Sequence, residues 1–140
     1  MGDFHLPVVK PKKGYKHMKG IFVNENGGIR YALALVLGNK RAETRARDML
    51  KDLVGERVAI IRTKRNKYPQ ILGYVTIEYK QFVTAEDFHL YDAFHLVPEG
   101  SGYDAHGKGK WLYWMKDAEA CKPYDLPKNA VRHGRSWCEF

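Results

Sequence analysis

Apolar positions along the chain change their spacing several times, and each change marks an element. From Ile29 to Gly38 (IRYALALVLG) they fall at helical intervals and are rich in Ala and Leu, which predicts a helix stopped by Gly38. Asp48–Leu53 (DMLKDL) fits one further helical turn, ended by Gly55. Arg57–Thr63 (RVAIIRT) is a β-branched apolar run too short for a helix and predicts a buried strand. Lys64–Gln70 (KRNKYPQ) reads as a turn carrying three bases, and Ile71–Tyr79 (ILGYVTIEY) as a second strand with a bulge at Gly73. Thr84 with Asp87 forms a TxxD capping box, so a short helix is expected to run to about Tyr91. Gly100–Gly109 is a loop, and Trp111–Met115 (WLYWM) a third strand. Pro123 and Pro127 fix an extended crossing segment, and His133–Phe140 (HGRSWCEF) reads as a closing strand. The first residues keep no period: Pro7, Pro11 and Gly14 interrupt a stretch crowded with Lys, so residues 1–19 are expected to form a basic arm before a domain at 20–140.

Helices mixed with short, mostly non-consecutive strands predict an α+β domain around a small barrel or curled sheet. A length of 140 residues suits one such domain. The longest apolar run, Tyr31–Leu37, has seven residues, so no membrane span is expected. The basic N-terminus has no apolar stretch for a secretory signal, and Leu6 stands where a myristoylation motif needs Ser or Thr. Cys121 and Cys138 belong to no CxxC and read as reduced thiols of a cytoplasmic protein, with a disulfide left open.

Charge sharpens this picture. The formal net charge is +8, and its distribution is uneven. Residues 30–70 carry eleven bases against four acids, whereas 71–107 carry one base against six acids. A concentrated basic field favours phosphate contacts, so a nucleic-acid partner is expected. Arg62, Lys64, Arg65 and Lys67 are the candidate phosphate contacts in that segment.

One constellation carries chemistry. Leu37–Arg45 (LGNKRAETR) has the form G-x-K-x-x-E-x-R through Gly38, Lys40, Glu43 and Arg45. Glu43 and Arg45 share a face if the segment is extended, and Gly38 lets the chain turn sharply ahead of Lys40. A surface loop with an internal ion pair is the simpler reading. The pattern, however, resembles the signature of the ASCH family, part of the PUA-like superfamily of small β-barrels. The later order also resembles that family: WLYWM, the prolines, then a closing strand with Gly134, Arg135, Ser136 and Trp137.

The resemblance covers about residues 20–140 and implies a PUA-like β-barrel with a few flanking short helices. It also implies a cleft lined by Lys40, Glu43 and Arg45 and suited to RNA or a nucleotide, with Arg135, Ser136 and Trp137 nearby. Family members include nucleic-acid-binding modules, a metal-dependent nuclease of single-stranded RNA, and an amidohydrolase of acylated cytidine. In the last, a Lys activates a Thr three residues later; here that position is Glu43, and Thr44 would face away on a strand. The leading expectation is therefore RNA binding without a cofactor. The alternative is an enzyme with Lys40 and Glu43 catalytic, using a divalent metal if a nuclease, and a module for an acidic protein partner comes third. Asp87, His89 and Asp92 form a polar cluster that reads more simply as loop residues than as a metal site. Ser136 lacks a nucleophile-elbow context, and the GKG of the 100–109 loop lacks that of a phosphate loop.

Overall fold

The computed structural model describes residues 18–140, so most of the expected basic arm lies outside the described residues. Met18 and Lys19 already belong to the sheet: the Met18 amide donates to the Phe140 carbonyl (3.1 Å), and Lys19 opens the first strand. Seven strands form one mixed sheet: β1 (Lys19–Asn24), β2 (Ala42–Arg45), β3 (Arg57–Lys64), β4 (Lys67–Val83), β5 (Lys110–Asp125), β6 (Val131–His133) and β7 (Trp137–Glu139). Their order is β2-β5-β4-β3-β1-β7-β6, antiparallel except for the parallel β1–β3 pair. Two helices accompany them, α1 (Tyr31–Val36) and the single turn α2 (Asp92–His95), with 3-10 turns at Lys51–Leu53 and Phe88–Tyr91.

The central strands are buried on both faces, which accounts for their continuous apolar runs. In β3, Val58 and Ile60 join the larger core with α1, while Ala59 and Ile61 join a second core with Phe22, Ile71, Tyr74 and Cys121. Alternate residues of a strand point to opposite faces, so RVAIIRT feeds both. In α1, Tyr31, Ala32, Leu35 and Val36 form the buried stripe. None of the helix's own side chains caps its start. Glu25 does so from β1's end, its Oε2 accepting from the Ala32 and Leu33 amides at 3.0 and 3.3 Å.

Four expectations change. The strand β1 was not expected, because its partners β3 and β7 are distant in sequence. The turn between β3 and β4 narrows to Arg65 and Asn66, since Lys64 already pairs with Lys67. The Trp111–Met115 strand extends to Asp125 and takes in Pro123, which sits within the register shift between the Ala120–Gly73 and Tyr124–Ile71 pairs. The single closing strand is a hairpin, β6 and β7, turning at Gly134 (φ 63°).

The ladder of hydrogen bonds is open: β2 and β6 are its edges and do not pair. The sheet is thus curled but not closed by backbone pairing, and side chains bridge the gap. Arg45 Nη2 donates to the Phe22 carbonyl at 2.7 Å, and Ser136 Oγ approaches Met49 Sδ at 3.1 Å. The gap is where the cleft lies. Among the described residues no helix is long and apolar enough to cross a membrane.

Candidate functional site

Local backbone chemistry delivers Lys40 to the cleft. At the end of α1, Gly38 takes a left-handed φ of 81°, and the amides of Asn39 and Lys40 both return to the Ala34 carbonyl at 2.9 and 3.0 Å. The chain reverses and enters β2, where period-two alternation sets Glu43 and Arg45 side by side. Arg45 donates to one carboxylate oxygen of Glu43 through Nε (3.2 Å) and Nη2 (3.0 Å). Lys40 Nζ lies 3.7 Å from the other oxygen.

The Lys40 ammonium is only 1% exposed. It donates to the His95 carbonyl and sits 4.9 Å from the centre of the Tyr31 ring. Burial pulls its pKa down to about 8, against the opposing pull of Glu43; Arg45 and Lys110 lower it further. Tyr31 is pushed up by burial and by the negative charge of Glu43. Lys110, at the start of β5, is a second buried lysine lining the cleft, and burial lowers its pKa too.

The walls come from five parts of the chain. Phe22, Val23 and Asn24 of β1 contribute, as do Met49 and Tyr103 and Gly102 of the 100–109 loop. Arg132, Arg135 and Ser136 of the β6–β7 hairpin and Thr63 of β3 complete the lining. The cleft's volume is about 630 Å³, within the range of small-molecule and nucleotide sites. Arg132 lies over the Phe22 ring at 4.6 Å, so a cation overhangs an apolar wall.

Two networks hold this shape. Tyr113 donates to Asp48 (2.7 Å) and accepts from the Leu50 amide (3.2 Å), which braces the segment carrying Met49. On the other side Asp104 organises the 100–109 loop. It accepts from the Gly100 and Ala105 amides, both at 2.6 Å, and meets His89 at 2.8 Å. Those bonds hold the Asp104 carboxyl down at about 2. Tyr103, on this loop, meets Tyr31 edge to face at 5.9 Å.

The His89–Asp92–His95 trio has donor atoms within 4.8 Å of one another. Its ring nitrogens are already committed. His95 Nδ1 accepts from the Val97 amide and its Nε2 donates to the Phe88 carbonyl, both at 2.9 Å; His89 bonds Asp92 at 2.6 Å and Asp104. The hydrogen-bonded arrangement fits a clasp that fixes the His95 carbonyl over Lys40 better than a metal centre.

Of the residues singled out by sequence, Lys40, Glu43, Arg45, Arg135 and Ser136 line the cleft together. Gly38 lies behind it, against a smaller cavity of about 210 Å³. Lys64, Arg65 and Lys67 are exposed at the β3–β4 hairpin, outside the cleft wall, and Arg62 bonds Gln70 at 3.2 Å. Trp137 is stacked on His133 at 4.0 Å and does not line the cleft. Thr44, expected to face away, borders the cleft from the edge strand. Sequence reasoning missed Tyr31, Lys110 and Arg132. Only the charge of the last two was a signal.

The sequence matches no protein-family model and no curated protein. Solved structures do match. The ASCH protein of Zymomonas mobilis shares 19% identity at a TM-score of 0.62, over 76% of this chain and 73% of that one. A serine-to-alanine variant of it aligns at 20% identity and 0.61, covering 76% and 74%. A tyrosine-to-phenylalanine variant aligns at 19% and 0.61, covering 76% of each. At this identity the likeness is one of fold.

Proposed function

We propose, from the premise that this chain has the fold of the ASCH protein of Zymomonas mobilis, that it binds single-stranded RNA and draws one nucleotide into the cleft. The observation that carries this reading is the cleft itself. It joins an apolar and aromatic wall to a buried Lys40–Glu43–Arg45 floor, beneath a rim bearing Arg132 and Arg135. A base fits against Tyr31, Tyr103 and Phe22, while the backbone phosphates meet the rim. Beyond the rim, Lys64, Arg65 and Lys67 extend the positive path, because the Arg65 amide is tied to Asn26 (2.6 Å), beside the cleft-lining Asn24. On this reading the sheet is a PUA-like barrel left open where RNA enters.

The test is a titration of labelled single-stranded RNA at several salt concentrations, run on native and denaturing gels with magnesium, manganese or chelator. Affinity should fall steeply with salt. The double variant Arg132→Ala/Arg135→Ala should reduce the magnitude of the log–log salt slope by about 1.4, two phosphate contacts' worth on a single strand. A salt-insensitive complex, or a variant with the wild-type slope, contradicts the reading.

A second reading rests on Lys40. A lysine held near pKa 8 beside a carboxylate suits proton transfer, and Ser136 offers a hydroxyl in the same cleft. Cleavage of the strand on the denaturing gels would favour a hydrolase.

A further inference from the structure

Lys110 has an environment the RNA-binding reading does not by itself require. It is 7% exposed, yet its ammonium, on the cleft wall, makes no hydrogen bond or ion pair with any described residue. Lys40, by contrast, is satisfied by the His95 carbonyl, Glu43 and the Tyr31 ring, and Arg45 by Glu43 and the Phe22 carbonyl. The ammonium opens on the cleft rather than being sealed in the core, so water or a ligand must supply its acceptors. Two carboxylates act on it: Glu43, already shared with Lys40 and Arg45, and Asp104, already bonded to His89 and to the Gly100 and Ala105 amides. Lys40, Arg45 and Lys110 thus outnumber the carboxylates that face them, and uncompensated positive charges remain in the cleft. A neutral nucleobase cannot offset them. A phosphodiester carries a single negative charge, and its two esterified oxygens continue into chain on both sides. A phosphomonoester carries between one and a half and two negative charges near neutral pH, offers three free oxygens, and ends the chain.

We propose that the floor of the cleft is a subsite for a terminal phosphate, with Lys110 as its principal ligand and Lys40 beside it. The molecule that enters is then the phosphorylated end of an RNA strand, or a mononucleotide, rather than an internal nucleotide. This rests on the reading that the cleft takes RNA and names which part of the strand reaches its floor. The terminal base lies against Tyr31 and Tyr103, and the rest of the strand leaves past Arg132 and Arg135.

The experiment compares three forms of one short single-stranded RNA: 5′-phosphorylated, 3′-phosphorylated, and hydroxyl at both ends. Thermal shift with inorganic phosphate and a nucleoside monophosphate runs in parallel. One of the two phosphorylated strands should bind about tenfold more tightly than the hydroxyl-ended strand, the difference expected of a charge-assisted contact. Lys110→Met should erase that preference, and Lys110→Arg should retain it. Equal affinity for the three strands, or a preference that survives Lys110→Met, overturns the subsite while leaving RNA binding standing. If no strand binds but a phosphate or mononucleotide stabilises the wild type and not Lys110→Met, the subsite stands and the RNA reading falls. If neither RNA nor phosphate has any effect, both fall. The comparison of strand ends is made on the wild-type protein, so it decides the matter even where a variant folds poorly.

Discussion

Lys40→Met is expected to weaken RNA binding by about ten- to a hundredfold, the cost of losing a charge-assisted contact in a confined site. The accompanying pH dependence is more telling. The Lys40 pKa falls from 10.5 unfolded to about 8 folded. Below pH 8 the ammonium is present in both states, and its burial cost weighs fully on the fold. Between pH 8 and 10.5 the unfolded chain binds more protons than the folded one, so stability gains a rising contribution from Lys40 as pH increases, amounting to about 3 kcal/mol in all. Binding runs the other way, because deprotonation removes the charge that holds the ligand. Over the same window, affinity for an adenosine-only strand should fall while the Lys40 contribution to stability rises. Lys40→Met should lose the Lys40 share of both changes and keep only what Lys110, whose pKa burial also lowers, contributes. Denaturant titrations and fluorescence binding at a series of pH values check both limbs. Parallel pH profiles in wild type and Lys40→Met would refute this role for Lys40.

The second large effect concerns the scaffold. Gly73 lies at the register shift of β4 with φ 156°, where a Cβ would meet the Glu119 carbonyl oxygen at 2.3 Å, Ala120 Cα at 2.9 Å and Val36 Cβ at 2.9 Å. None of these is the far end of a flexible side chain. Relief requires moving β5 away from β4 or lifting α1 off the sheet. Gly73→Ala should therefore cost about 3 kcal/mol and lower the Tm by roughly 10 °C, at the upper end of overpacking effects. Gly27→Ala, with open space around its Cβ, serves as the control and should shift little. Thermal unfolding followed by circular dichroism measures both; a Gly73→Ala protein as stable as the control would mean that this close approach is not what seats α1.

The Gly73 bulge was legible because a glycine weakens a β-branched run and belongs there only where the strand bends or another backbone comes close. The cleft floor was legible for a related reason: a helix stop followed by alternating Glu43 and Arg45 is a local pattern that local geometry carries out. What the sequence hid is what tertiary structure assembles. Strand β1 was hidden because KGIFVN pairs with β3 and β7, far along the chain, and its flanking Lys and Gly look like loop. The long polar ends of β4 and β5 were hidden because exposed strand residues such as Lys116 to Glu119 carry no alternation to read. Charge density along the sequence misled as to place. Lys64, Arg65 and Lys67 crowd one stretch but project from a hairpin, whereas the cleft's added cations, Lys110 and Arg132, come from stretches unremarkable in sequence. Trp137, a natural stacking candidate, spends its ring on His133.

Aromatic residues are also exposed away from the cleft. Tyr79 stacks on Trp114 at 5.9 Å, and Phe94 packs on the same indole at 5.1 Å. This surface competes with the cleft as a place for bases to stack, and it supplies the decisive comparison. The measurement is photocrosslinking of a single-stranded RNA carrying 4-thiouridine to the wild-type protein, with the modified peptides identified by mass spectrometry. The account predicts crosslinks at Tyr31, Tyr103 and Phe22, suppressed by raised salt. Crosslinks confined to Tyr79, Phe94 and Trp114, with the cleft residues untouched, would contradict it and move the RNA to the outer face of the sheet.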